Sequence, residues 1–180
     1  EHVRWIATRN LLDILDDDIL QKIIDKAKDG NYKIRNRAIE ILGEIKEDRA
    51  KETLLDLLNS EDEDIRGKVV EALGNFEDED VIEELRSCLK KDVLPVKQNA
   101  AKSLGEIGDK RVVDDLIDIL DKEDDIITKA LSIWALGSIR TKKSISKLQS
   151  ILNTGSYYEK RIASWALGEI GDKRALSSLL

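Results

Sequence analysis

The sequence predicts an all-α solenoid, a superhelix of about six stacked two-helix repeats with a period of about 31 residues, and three observations carry that expectation. One is composition: 180 residues, 41% hydrophobic and 37% charged, with a single proline and an abundance of Leu, Ile, Ala, Glu, Asp and Lys, favour helix over sheet. The second is self-similarity. Gly43, Gly74, Gly105, Gly137 and Gly168 stand 31, 31, 32 and 31 residues apart, and a further step of 31 backwards reaches Leu12 in a degenerate first copy. The third is that every period carries two apolar stripes at helical spacing, neither of which a lone helix could bury.

The first helix of each copy is read from the residues around the anchor glycine. Leu11, Leu42, Leu73, Leu104, Leu136 and Leu167 precede it, and Ile14, Ile45, Phe76, Ile107, Ile139 and Ile170 follow two residues after. Five residues before it stand Ala7, Ala38, Val69, Ala100, Ser132 and Ala163, small enough for another helix to approach closely. The anchor is expected to end this helix. Asp16, Glu47, Asp78, Asp109, Thr141 and Asp172, four residues beyond, then serve mostly as N-caps. A second amphipathic helix follows, marked by Ile23, Leu54, Leu85, Leu116, Leu148 and Leu179. Each copy is thus a pair of antiparallel helices, and stacking of the pairs buries both stripes.

The segments IRNRAIEILGEIKEDRAKETLLDLL, IRGKVVEALG, VKQNAAKSLGEIGDKRVVDDLIDIL and ASWALGEIGDKRALSSLL resemble HEAT-like repeats of the phycobilisome-lyase type along the whole chain. The resemblance implies a single solenoid over residues 1–180, and it is specific for the repeat class while saying almost nothing about activity. Two copies depart from it: Thr128 and Glu159 stand where Ile or Val is expected, and the 32-residue step places an extra residue near Asp124, so irregular packing is expected there. Arg4, Arg35, Arg66, Lys97, Lys129 and Lys160 form a basic ladder eight residues before the anchors, read as structural ion-pair or carbonyl contacts and not as a phosphate-binding row. From the short entry at Glu1 and the stop at Leu180, a fragment of a longer repeat protein is expected, or else ends that a partner covers.

The net charge of −7 hides an asymmetry: residues 1–50 carry −1, residues 51–125 carry −12 and residues 126–180 carry +6. One cysteine, Cys88, excludes an internal disulfide and one histidine, His2, excludes a multi-histidine metal site. No run of about 18 apolar residues exists to span a membrane. A reducing, cytoplasmic setting, no membrane and no cofactor or metal are expected. HEAT-like metal hydroxylases use His-Glu ligand pairs, which this chain lacks. The GxxG sequences at Gly105–Gly108 and Gly168–Gly171 recur at the turn between paired helices, and Cys88 falls on an apolar stripe; neither is read as chemistry.

Positions seven, six, four and three before the anchor, and one after it, are expected to face outward, on the helix that lines the concave surface of HEAT-like folds. In the middle copies they are polar: Asn36, Arg37, Glu40, Lys68, Glu71, Gln98, Asn99 and Lys102, with Ile39 and Val70 as exceptions. In the last two copies they become Leu131, Ile133 and Trp134, then Arg161, Ile162 and Trp165, with Tyr157 and Tyr158 at the helix start. These eight residues are the candidate partner site, because aromatic and aliphatic side chains beside arginine are hot-spot chemistry. The competing reading packs Trp134 and Trp165 between repeats as ordinary core. Trp5 and Ile6 form a smaller analogue near the N-terminus.

No catalytic constellation is evident, so a non-enzymatic protein or peptide scaffold is the functional expectation. The alternative is a nucleic-acid module, or an enzyme resembling HEAT-like DNA glycosylases, using the same aromatics with Glu169 and the cations Lys129, Arg140, Lys142, Lys143, Lys160 and Arg161. The oligomeric state is left open.

Overall fold

The computed structural model describes residues 15–175. Among them are ten α-helices and two short 3₁₀ turns: α1 (Asp17–Asp29), α2 (Tyr32–Ile45), α3 (Asp48–Leu57), α4 (Glu63–Leu73), α5 (Glu79–Lys91), α6 (Leu94–Ile107), α7 (Val113–Lys122), α8 (Ile126–Ile139), α9 (Ile145–Thr154) and α10 (Tyr157–Ile170). The 3₁₀ turns, Lys110–Val112 and Lys142–Ser144, lead into α7 and α9. The even-numbered helices carry the anchor glycines. The degenerate first anchor helix, with His2, Arg4, Trp5, Ile6, Ala7, Leu11, Leu12 and Ile14, lies outside the described residues, as does Leu179.

The chain separates into two compact units, residues 1–81 and 82–180. In the first, α2 packs on α1, α3 and α4. In the second, α8 is packed between α6 and α10 while α7 covers it and α9 covers α10. The core is the predicted stripe: Leu42, Leu73, Leu104, Leu136 and Leu167 before the anchors, and Leu54, Leu85, Leu116 and Leu148 on the covering helices, are all buried. No helix among the described residues is long and apolar enough to cross a membrane.

Four expectations are corrected by this packing. The anchor glycine does not end its helix: α2, α6, α8 and α10 run two residues past it, and only α4 stops at it. Its role is proximity. A Cβ built on Gly43 would lie 2.8 Å from Ala72 Cβ, one on Gly105 2.7 Å from Ala135 Cβ, and one on Gly137 2.8 Å from Ala166 Cβ, so each glycine receives the alanine two residues before the next anchor. The true ends lie three residues beyond the anchor, where Lys46, Gly108, Arg140 and Gly171 adopt positive φ. The second glycine of each GxxG is therefore a C-cap.

The second correction concerns the position four before the anchor, read as outward. Ile39, Val70, Ala101 and Ile133 are all fully buried, because a helix flanked by neighbours on both sides and covered from behind buries a wider arc than one stripe. The third concerns the extra residue. It is taken up in the connection from α7 to α8, and α8 begins eleven residues ahead of Gly137 just as α10 begins eleven ahead of Gly168. The helices keep their register. Thr128 is buried with its backbone N–H and hydroxyl both donating to the N-cap Asp125 (2.7 Å each), and Glu159 closes a capping box with Ser156, so the two departures from Ile/Val exchange an apolar contact for helix initiation. The fourth is smaller: Cys88 is half-buried, not core.

The basic ladder is structural where its contacts are described. Arg35 Nη2 donates to the Lys28 carbonyl at 2.8 Å, Arg66 Nη1 to the Ser60 and Glu61 carbonyls at 2.8 and 3.1 Å, and Lys97 Nζ to Glu123 at 2.9 Å. Of the expected caps, Asp16, Asp109, Thr141 and Asp172 accept backbone N–H bonds, whereas Glu47 makes no side-chain cap.

Candidate functional site

Helix α8 reads IITKALSIWALGSI, with Lys129 its one charged residue. Its packing against α6, α7 and α10 consumes Thr128, Ser132, Ile133, Ala135, Leu136 and Ile139. What remains outside is apolar as well: Ile126, Ile127, Ala130, Leu131 and Trp134 line one wall of a trough of about 500 Å³, and Tyr158 and Ile162 of α10 line the other. None of the seven is charged. Ile126 and Ile127 are 49% and 53% exposed at the mouth.

Aromatic geometry shapes the lip. The Tyr157 and Tyr158 rings meet edge to face with centroids 6.2 Å apart, and the Arg161 guanidinium carbon stands 5.2 Å from the Tyr158 centroid. Ser156 caps α10 and fixes the direction from which both tyrosines leave the helix. Behind the trough, the Trp134 ring lies across Gly105: a Cβ there would come within 2.7 Å of its Cζ3. Trp165 stands in the same relation to Gly137, at 2.8 Å. Each indole thus occupies space the preceding copy's glycine leaves open, and Trp165 is still 41% exposed.

Of the eight residues singled out from sequence, Leu131, Trp134, Tyr158 and Ile162 are brought together in the trough wall. Tyr157 and Arg161 stand at its lip, Trp165 lies one turn beyond Ile162 on α10, and Ile133 is withdrawn into the core. The two readings of the tryptophans therefore merge, since each packs on a glycine and presents a face. Sequence reasoning missed Ile126, Ile127 and Ala130. The signal was present: adjacent isoleucines at the two positions where the last copy has Tyr157 and Tyr158. In the first unit a second trough of about 390 Å³ lies between α1 and α2, floored by Ile19, Ile23, Ile34 and Ile41 and edged by lysines. Trp5 and Ile6 lie outside the described residues.

Several cations offered for phosphate contact have acidic partners. Arg140 pairs with Glu169 at 2.5 Å, Lys142 with Asp172 at 3.2 Å and Lys143 with Asp114 at 2.6 Å. The Asp172 carboxyl is held well below the usual range by the Arg174 guanidinium, its backbone N–H and Lys142. Behind the trough, burial pushes the Asp115 carboxyl up, but bonds from Arg86 and Lys90 outweigh it and hold the carboxyl down.

A family model for HEAT repeats matches residues 1–66, 20–96, 52–132 and 113–180. The chain belongs to the HEAT-repeat family. A solved neighbour, the complex of CpcE and CpcF of phycocyanin lyase from Nostoc sp. PCC7120, aligns at a TM-score of 0.73 and 21% identity over 88% of this chain. The HEAT chain spans 66% of that neighbour, just under two thirds of its length. A designed armadillo repeat protein in complex with the peptide (KR)4 aligns at a TM-score of 0.58 and 16% identity, covering 89% of this chain and 86% of that one. Human deoxyhypusine hydroxylase aligns at 0.50 and 18% identity, covering 98% of this chain and 70% of that one. No curated protein matches the sequence. At these identities the neighbours establish the HEAT solenoid fold.

Proposed function

We propose that this HEAT-repeat chain is a non-enzymatic binding scaffold whose C-terminal repeats take a protein or peptide in the trough between α8 and α10. The observation that carries this reading is the trough itself: seven contiguous side chains, none charged, with two isoleucines about half exposed at its mouth. Two of the structural neighbours are described as a protein complex and as a peptide complex, which agrees with such a use of the fold. A nucleic-acid role would draw on Lys129, Arg140, Lys142, Lys143, Lys160 and Arg161; three of these, Arg140, Lys142 and Lys143, are already matched to Glu169, Asp172 and Asp114, and an uncharged trough offers little to a phosphate backbone.

The test uses the exposed isoleucines. Removing Trp134 would also open the space over Gly105, so a double change, Ile126→Glu with Ile127→Glu, reports on the surface more cleanly. In capture from nuclease-treated lysate of the native source, a protein retained by the parent and lost by the variant is the expected result. Equal retention by both, or material that vanishes with nuclease, would overturn the reading.

A further inference from the structure

If the trough binds protein, as proposed above, its chemistry also selects the conformation and the charge of what enters. Both walls are flanks of α-helices, whose backbone N–H and C=O groups are consumed within the helices. The lining side chains add only the Tyr158 hydroxyl and the Trp134 indole N–H. An extended segment laid here would bring a donor and an acceptor per residue against a surface that can answer almost none of them. A helix arrives with those groups already paired. The α8 wall from Ile126 to Trp134 is about 12 Å long at ~1.5 Å per residue, the length of two turns of a docked helix.

Charge comes from Arg161. The second unit contains five arginines, and four have carboxylate partners: Arg86 with Glu83 and Asp115, Arg111 with Asp109, Arg140 with Glu169 and Arg174 with Asp172. Arg161 has none among the described residues. It lies instead over the Tyr158 ring at 5.2 Å, which stations its guanidinium at the lip of the trough with the planar fork open to a carboxylate. We propose that the trough takes an amphipathic α-helix of a partner protein, with aliphatic side chains at i, i+3 or i+4, and i+7, and with an Asp or Glu that pairs with Arg161.

The experiment is selection from two displayed libraries of equal diversity against the full chain: three-turn helical peptides randomised on one face, and linear peptides with proline at every third position. The parent, the Ile126→Glu/Ile127→Glu variant and Arg161→Glu are the three baits, all altered at exposed positions and checked for parental circular dichroism. The expected result is enrichment from the helical library, loss of it on the isoleucine variant, and an acidic preference at one position that Arg161→Glu converts to a basic one while the aliphatic spacing persists. A selected acidic peptide should bind Arg161→Glu about fivefold more weakly, the upper range for an exposed ion pair. Trough-dependent binders that come only from the proline library, or helical binders indifferent to Arg161→Glu, would overturn this inference and leave the binding reading standing. Concentration-dependent self-association abolished by the isoleucine variant would identify the occupant as a second copy and overturn it too. Absence of any trough-dependent binder would sink both.

Discussion

One residue type answers differently according to its neighbour. Gly137 lies under Ala166 and Trp165, so Gly137→Ala should destabilise by about 1–3 kcal/mol through overpacking. Gly168 occupies the same place in the motif, but nothing among the described residues stands within 4 Å of a Cβ built on it, so Gly168→Ala should stabilise by about 1 kcal/mol through helix propensity. Urea denaturation of the two variants reads the opposite signs. Ser132 supplies a second case, since its hydroxyl is buried without a partner among the described residues at a position where Ala38, Ala100 and Ala163 occur. Ser132→Ala should gain about 1 kcal/mol in the same assay, and a loss would mean the hydroxyl is satisfied in solution. The anchors were legible as a period but not as contacts, because a glycine before Glu or Asn also reads as a stop; the alanine that explains it lies about one repeat away in sequence.

At the scale of the element, helix existence and covering stripes followed from periodicity, whereas helix ends did not. The chain turns at Lys46 and Arg140 in the left-handed region, which glycine occupies in the copies ending at Gly108 and Gly171. Lys46→Gly should therefore raise stability by about 1 kcal/mol, and Gly108→Ala should lower it by a comparable amount, by thermal unfolding. The candidate site was half legible for the same reason. Trp134, Leu131 and Ile162 were found by reading outward positions and Tyr158 as an aromatic at the helix start, but Ile133 was misassigned because burial of α8 comes from three sides, and Ile126 and Ile127, at the equivalent start of α8, lay beyond the window in which outward positions were counted.

At the scale of the whole molecule, the carboxyls that the structure holds below their usual range among the described residues, Asp109, Asp115, Glu123, Asp125, Glu159 and Asp172, belong to the second unit, while the lysines held above theirs include Lys51 and Lys68 of the first. A depressed carboxyl contributes stability that is full above its unfolded value, about pH 4, and is lost as pH falls towards the folded one. Acid should accordingly loosen residues 82–180 first. Pepsin cleavage at pH 3 is expected to begin there, and Asp115→Asn should lower the melting temperature at pH 7 and flatten its fall below pH 4; an acid limb unchanged by this substitution would remove Asp115 from the account. The connections into the anchor helices carry a different kind of consequence. They hold two, five, two, three and two residues, while every anchor helix begins eleven residues ahead of its glycine. A residue added inside a helix would swing every later side chain through about 100°, but one added in a connection turns nothing. Residues 58–62 are thus a splice point, where an epitope or a cleavage sequence can be inserted with the faces of the neighbouring helices left as they are.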